Sequence, residues 1–242
     1  MAEEIIEKTE NFVHEYMNKY DCSHDWQHVN RVVRQALALA RMQSQTKQVD
    51  VLVVHLAALL HDVDDAKYVH HDDTKFSSEN FLVGLGMDSA RAAFVCRVAD
   101  GVSFRKELLA EELHKQGTGD EDDWEWRQSC VELACVQDAD RLDAIGAFGV
   151  LRCAAFSGAR NRTLHAPKDS FIENITYEQY VQATDNSAAT AISHFHEKLL
   201  QLAAKMKTDQ GRQEAQRRHD FMLQFIRQVD CEFAFGDRAG EK

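Results

Sequence analysis

The sequence predicts an all-α protein folded as a compact helical bundle. The chain of 242 residues contains one proline, Pro167, and only 11 glycines, so few residues interrupt a helix. Apolar residues recur at helical spacing through most of the chain, and 44% of the residues are hydrophobic, enough to bury a sizeable core. At this length, a single domain spanning residues 1–242 is the simplest division.

The first half of the chain contains two clear helical patterns. In residues 29–40, valine, alanine and leucine recur three and four residues apart, as on one face of a helix. Residues 50–62 start at Asp50, a suitable N-cap, and continue as a nearly unbroken apolar run, which predicts a buried central helix. The valines at the start of this run would also suit a strand, but its length and the sequence Ala-Ala-Leu-Leu favour a helix.

The second half is predicted to be helical as well. Asp88 is placed to cap a helix that ends near Gly101. Two apolar helical stretches follow within residues 124–156, and two long amphipathic helices are expected from Asp185 to about Phe235. Two segments rich in glycine and polar residues are predicted to be loops, namely 117–123, which we expect to be exposed, and 158–170.

Composition limits the partners and the compartment. The formal net charge of -12 argues against a nucleic-acid polymer as partner, but it allows a small phosphorylated ligand held by local cations. The six cysteines lack CxxC spacing and mostly lie in apolar helical patterns, which indicates reduced thiols in a cytoplasmic or nuclear protein. No signal peptide or membrane span is expected, and the long C-terminal amphipathic helices are compatible with a homodimer.

Histidines and aspartates cluster at three points of the predicted bundle. His61 and Asp62 end the buried apolar helix, where a carboxylate is costly unless it is paired or binds a metal. An isolated pair of this kind would usually be a helix end with a solvated aspartate. Upstream, however, His24 and His28 lie four residues apart, and downstream Asp138 follows the apolar run VELACV.

Imidazole and carboxylate groups from three helices would form a mixed nitrogen and oxygen site. Such a site suits one divalent ion among Mn, Mg, Ni, Fe and Zn better than a metal that prefers thiolates. With four protein ligands, coordination positions remain open for water and a phosphate oxygen.

At these residues the sequence resembles the HD superfamily of metal-dependent phosphohydrolases. The segments HDWQHVNRV, ALLHDVDDAK, GVSF, QDADRLDAIGA and HFHEKLLQLAAKMKTDQGR are similar to its compact, single-domain bacterial-type members, some of which hydrolyse nucleoside triphosphates. The similarity extends from about residue 20 to about residue 230. It implies an all-α bundle with a metal site in its core, whose ligands are His28, His61, Asp62 and Asp138.

Other residues are candidates for roles around the metal. Asp65 lies three residues after Asp62, close enough on a helix to orient or deprotonate a water, and His24 would contact phosphate or support the ligands. Asp143 would hold a metal-bound histidine by a hydrogen bond. The candidate cations for binding the phosphates of the substrate are Lys67, Arg105, Lys106 and Arg141.

The favoured activity, by resemblance alone, is cleavage of a deoxynucleoside or nucleoside triphosphate to a monophosphate and pyrophosphate. A 5′-nucleotidase or another phosphoester hydrolase is the next alternative, and a guanosine-tetraphosphate hydrolase is conceivable. A cyclic-dinucleotide phosphodiesterase is disfavoured because the Gly-Tyr-Pro signature of that branch is missing, and a di-iron oxygenase because no second ligand set is evident. A non-catalytic helical module that binds a metal or a nucleotide stays open.

Overall fold

The computed structural model of the chain describes residues 1–63, 76–166, 176–179 and 190–238. Within these ranges the regular structure is entirely helical, which confirms the predicted all-α class. The α-helices are α1 (Ala2–Met17), α2 (Trp26–Gln43), α3 (Val51–Leu60), α4 (Ser78–Gly84), α5 (Ser89–Gly101), α6 (Phe104–Lys115), α7 (Glu121–Ser129), α8 (Val131–Asp143), α9 (Gly146–Ala159), α10 (Ala191–Glu197) and α11 (Asp209–Arg238), with a 3₁₀ helix at Leu199–Lys205.

Helix α3 is the central helix, as its all-round apolar sequence predicts. Its side chains from Val53 to Leu60 are buried except for that of His55, and α1, α2, α5 and α8 all pack against it. The Asp50 side chain caps its N-terminus by accepting hydrogen bonds from the backbone N–H groups of Leu52 and Val53, at 3.1 and 3.2 Å. Burial on every side leaves the C-terminal end of α3 inside the bundle.

Helices α2 and α8 flank α3 and make the most extensive helix contact with each other. Asp25 is the N-cap of α2, and its carboxylate accepts a hydrogen bond from the backbone N–H of His28 at 3.0 Å. This cap fixes the first turn of α2, where the side chain of His28 is buried. The first turn of α2, the end of α3 and the last turn of α8 therefore meet in one region of the core.

The structure changes two of the predicted boundaries. The break after α6 is shorter than 117–123, because Asp120 caps α7 and residues 121–123 form the first turn of that helix. Within residues 190–238, the described C-terminal part contains one long helix, α11, rather than the two predicted. It is preceded by the short α10 and the 3₁₀ segment, since Lys198 leaves helical geometry at φ -134° and ψ -60°.

No single helix among the described residues is long and apolar enough to cross a membrane. Helices α8 and α9 meet at a bend of 69° and pass that test only as a pair, by length and composition.

Candidate metal centre

Four side chains converge where α2, α3 and α8 meet. His28 lies in the first turn of α2, His61 and Asp62 directly follow α3, and Asp140 lies in the last turn of α8. The Nε2 atom of His28 is 3.3 Å from Oδ2 of Asp62 and 3.6 Å from Oδ1 of Asp140. The Nε2 atom of His61 is 3.5 and 3.8 Å from the same two oxygens.

The other ring nitrogen of each histidine is held by the protein. Nδ1 of His28 is 2.8 Å from Oδ2 of Asp143, and Nδ1 of His61 is 2.9 Å from the carbonyl oxygen of Ala58. These bonds place the proton on Nδ1 in the neutral rings and turn both Nε2 lone pairs towards the shared space. The predicted support of a histidine by Asp143 is present in the structure.

Two atoms of this cluster are buried and lack a hydrogen-bond partner among the described residues, namely Nε2 of His61 and Oδ2 of Asp62. A buried carboxylate oxygen and a buried ring nitrogen without partners are costly unless a cation or a water satisfies them. The side chains of His28 and His61 are only 1% and 2% exposed, whereas that of Asp140 is 30% exposed and opens the cluster to one side. The donor set therefore fits a divalent metal ion.

The histidines and carboxylates of the cluster shift the pKa values of one another. Burial and the neighbouring Arg152 lower the pKa of His28, but its contacts with Asp143 and Asp62 outweigh them, and the pKa is raised. Burial raises the pKa of Asp62, but the adjacent His61 and the close approach of His28 hold it well below its usual range. Asp62 is therefore ionised at neutral pH and available as a ligand.

Asp143 is itself fixed by two arginines. Its Oδ1 accepts a hydrogen bond from Nε of Arg31 at 2.7 Å, and Oδ2 lies 3.3 Å from Nη1 of Arg152. Burial works against ionisation of Asp143, but the bonds from His28 and Arg31 hold its pKa far below the ordinary value. The chain thus builds a second layer that orients His28.

Asp138 was predicted as the fourth ligand, but the structure does not place its carboxylate with the histidines. Its Oδ1 accepts the backbone N–H of Lys207 at 2.9 Å, and its Oδ2 accepts the backbone N–H and the hydroxyl of Thr208 at 2.8 and 2.7 Å. A Cβ atom at position 211, where the chain has Gly211, would clash with the same Oδ2. Asp138 therefore anchors the start of α11, and Asp140 is the carboxylate of α8 that joins His28 and His61.

Comparison with known proteins places the chain in a family. The family model of the HD domain matches residues 25–145, a range that contains all four converging side chains. The chain is 33% identical to the protein YpgQ of Bacillus subtilis strain 168 over 229 residues, which cover 93% of this chain and 91% of YpgQ. The chain belongs to the HD domain family.

Solved structures agree with this assignment. The crystal structure of YpgQ in complex with ADP covers 96% of this chain and 97% of its own, with 30% identity and a TM-score of 0.66. An HD-superfamily hydrolase from Bacillus thuringiensis covers 96% of this chain and 98% of its own, with 28% identity and a TM-score of 0.64. The protein is thus a metal-dependent phosphohydrolase of the HD superfamily, as its sequence motifs indicate.

A cavity of about 400 Å³ lies beside His61 in this HD domain. Polar and charged side chains from α4 to α6 line it together with apolar ones, and they include Arg97, Asp100 and Lys106. Lys106, a predicted phosphate contact, forms an ion pair with Asp100 on the rim, where its side chain is 48% exposed. The cavity therefore lies between His61 of the cluster and the ion pair of Lys106 with Asp100.

The structure gives two of the other predicted cations different surroundings. Arg141 is buried and pairs with Glu107 and the carbonyl oxygen of Lys205, so it stabilises the contact between α8, α6 and the 3₁₀ helix. This position does not support the predicted contact of Arg141 with substrate. Arg105 lies 3.4 Å from the hydroxyl of Tyr177, and its contact with substrate stays a prediction.

His24 does lie near the centre, with its ring centroid 6.0 Å from that of His28. Its Nδ1 is 2.8 Å from the hydroxyl of Ser23. Burial lowers its pKa to about 3 against the opposing effect of Asp62, so the ring is neutral at pH 7. Asp65 and Lys67 fall outside the described residues, and their roles remain predictions.

Asp140 and Arg152 are site residues that the sequence analysis missed. The segment QDADRLDAIGA offers three aspartates, and helical geometry could have chosen between them. Residues three apart share a helix face, so Asp140 lies on the side of Asp143, whereas Asp138 is rotated by about 200° from Asp140. Because Asp143 was already expected to hold a ligand histidine, the same face selects Asp140. No sequence signal identified Arg152.

Proposed function

We propose that this HD-domain protein hydrolyses a nucleoside or deoxynucleoside triphosphate to a monophosphate and pyrophosphate. The observation that carries the proposal is the convergence of His28, His61, Asp62 and Asp140, with two buried atoms left without partners. We assign these four side chains as the ligands of one divalent metal ion, with Asp140 in place of Asp138.

His28, His61, Asp62 and Asp140 would hold the metal, which would lower the pKa of a bound water and polarise a phosphoryl oxygen. The chain's own residues then position the substrate. The cavity beside His61 is large enough for part of a nucleotide, and Lys106 on its rim supplies a cation for a phosphate oxygen. The neutral ring of His24, next to His28, accepts or donates a hydrogen bond at the edge of the centre.

The similarity to YpgQ supports a nucleotide as substrate, because a YpgQ structure holds ADP. The roles of Asp65, in orienting or deprotonating the water, and of Lys67, in binding phosphate, are part of the proposal. Both residues follow Asp62 closely in the sequence.

The test is a screen of Mn²⁺, Mg²⁺, Ni²⁺, Fe²⁺ and Zn²⁺ against nucleoside mono-, di- and triphosphates, with separate detection of pyrophosphate and orthophosphate. We expect pyrophosphate from triphosphates, and no turnover with Asp62→Ala, which removes a ligand. Orthophosphate released from monophosphates would point to a 5′-nucleotidase instead. Protein that holds a metal but releases neither product from any nucleotide would be a non-catalytic binding module.

A further inference from the structure

Two arginines and two histidine rings surround Phe156, near the end of α9. The guanidinium carbon of Arg160 lies 3.8 Å from the centre of the Phe156 ring, and that of Arg162 lies 5.4 Å from it. The ring of His194, from α10, is stacked at 6.5 Å. On the side of the metal centre, the ring centroid of His24 is 6.0 Å from that of Phe156 and 6.0 Å from that of His28.

The backbone at the end of α9 fixes both arginines. Asn161 has a positive φ of 53°, and the N–H of Arg162 donates to the carbonyl oxygen of Ser157 at 2.9 Å. This is the six-residue closure that ends many helices, and asparagine tolerates its left-handed position. Because Arg160 lies one helical turn after Phe156, the same geometry sets its side chain over the ring.

The side chains around Phe156 carry positive charge, whereas the chain as a whole is negatively charged. The formal net charge is -12, yet Arg160 and Arg162 lie together here, and Lys198 is close enough to act on His194. Asp21 is close enough to Arg160 for the two charges to interact, and it offsets part of this charge. Burial, together with Lys198 and Arg162, lowers the pKa of His194 to about 3, so the imidazole adds no charge but can accept or donate a hydrogen bond.

A guanidinium stacked on an aromatic ring, as that of Arg160 is on Phe156, presents its N–H groups at the edge of its plane. That edge binds two oxygens of one phosphate at once. Since Arg160 already covers the ring at 3.8 Å, a nucleotide base would have to displace it, which favours phosphate over base as the occupant. The lining of the cavity beside His61 includes none of these residues, so Arg160 and Arg162 form a surface separate from that cavity, connected to His28 through the rings of Phe156 and His24.

We infer that Arg160 and Arg162, positioned by Phe156, bind the phosphate groups of the substrate that lie away from the metal. The inference rests on the proposed function for the identity of the substrate and deepens it. The nucleoside occupies the cavity beside His61, and the terminal phosphates lie along the Phe156 side, with the bond to be cleaved between them at the metal. The arginines are then substrate-binding residues for polyphosphates in particular.

The test measures binding separately from turnover. Binding of inorganic tripolyphosphate, ADP and orthophosphate to Mn²⁺-loaded protein is followed by titration calorimetry for the wild type, Arg160→Ala and Arg162→Ala. The loss of one charge-assisted bidentate contact is expected to weaken tripolyphosphate binding by about 10-fold or more. The effect should be smaller for orthophosphate, and metal stoichiometry should not change because neither arginine belongs to the cluster of His28, His61, Asp62 and Asp140.

The control is Arg217→Ala, since Arg217 on α11 has an 81% exposed side chain paired with Glu214. It should bind tripolyphosphate as the wild type does. Equal tripolyphosphate binding by the wild type and both arginine variants would overturn the inference, whether or not the enzyme releases pyrophosphate. If the arginine variants bind tripolyphosphate more weakly but the wild type hydrolyses no triphosphate, the phosphate-binding role of Arg160 and Arg162 is supported. Only the proposed reaction is then rejected.

Discussion

The Nδ1 atom of the His28 ring is held by one carboxylate, that of Asp143. Its Oδ2 lies 2.8 Å from Nδ1 of His28, and the side chain is in turn held by Arg31 and Arg152. Such a partner fixes the tautomer of the histidine and raises its basicity as a ligand. We therefore regard Asp143 as a positioning residue that acts through His28.

Replacing Asp143 by asparagine should weaken metal binding while the four ligands stay in place. Asparagine keeps the size of the side chain but loses the charge that His28, Arg31 and Arg152 share. We expect metal affinity to fall by about 10- to 100-fold, measured as the dissociation constant of Mn²⁺ in folded protein. Asp220→Asn, on the exposed face of α11, is the matched control. A Mn²⁺ constant within about twofold of the wild type for Asp143→Asn would contradict this role.

The residue types of the centre could be predicted from the sequence, but the aspartate of α8 was assigned to the wrong position. His61 and Asp62 end a buried apolar helix, and this local pattern is visible without a structure. Asp140 shares a helix face with Asp143, so helical spacing could have selected it over Asp138 once Asp143 was expected to hold a histidine. The role of Asp138 depends on the backbone at Lys207 and Thr208, some 70 residues away.

At the scale of elements, α6, α8 and the segment before α11 are joined by a buried ion network. Glu107 pairs with Arg141, and its Oε1 lies 3.3 Å from Nζ of Lys207. Burial raises the pKa of Glu107, but Arg141 and Lys207 outweigh it and the net pKa is lowered. The carboxylate is thus stabilised only when the helices are packed.

The network makes stability depend on pH. Because the folded pKa of Glu107 is below its ordinary value of 4.5, its stabilisation is complete above that pH and is lost as the pH falls through the lowered value. Glu107→Gln should destabilise the protein at pH 7 by about 1–3 kcal/mol. The difference in free energy of unfolding between Glu107→Gln and the wild type, measured by thermal unfolding, should stay constant from pH 7 to about pH 5. It should shrink at lower pH.

Glu214→Gln, which affects a more exposed acid on α11, should show little destabilisation at any of these pH values. If the difference in free energy of unfolding between Glu107→Gln and the wild type grows as the pH falls, the assigned role of Glu107 in the network is contradicted.

Local sequence explains most of the elements. The helix caps at Asp50 and Asp88 lie where the sequence predicts them, since a cap depends on its own side chain and the next few N–H groups. The helix boundaries of the C-terminal region could not be predicted from local sequence. The apolar spacing continues through residues 191–205, and the break at Lys198 reflects packing on α9 and α11 rather than a proline or glycine.

At the scale of the whole molecule, the metal centre joins three helices that are far apart in sequence. One ion would be shared by His28, by His61 and Asp62 after α3, and by Asp140 of α8. Metal binding should therefore stabilise the folded state as a whole. Metal at about 100 times its dissociation constant adds roughly 2.7 kcal/mol. For a chain of this size, that corresponds to a rise in melting temperature of about 5–10 °C.

The most direct test of the account is the metal content and Mn²⁺-induced thermal shift of Asp140→Ala beside Asp138→Asn. If Asp140 is a ligand and Asp138 an anchor of α11, Asp140→Ala loses both the bound metal and the thermal shift. Asp138→Asn then melts at a lower temperature but still binds one equivalent of metal and responds to Mn²⁺. The opposite pattern, in which Asp140→Ala retains a full equivalent at wild-type affinity and folded Asp138→Asn retains none, would contradict the assigned centre.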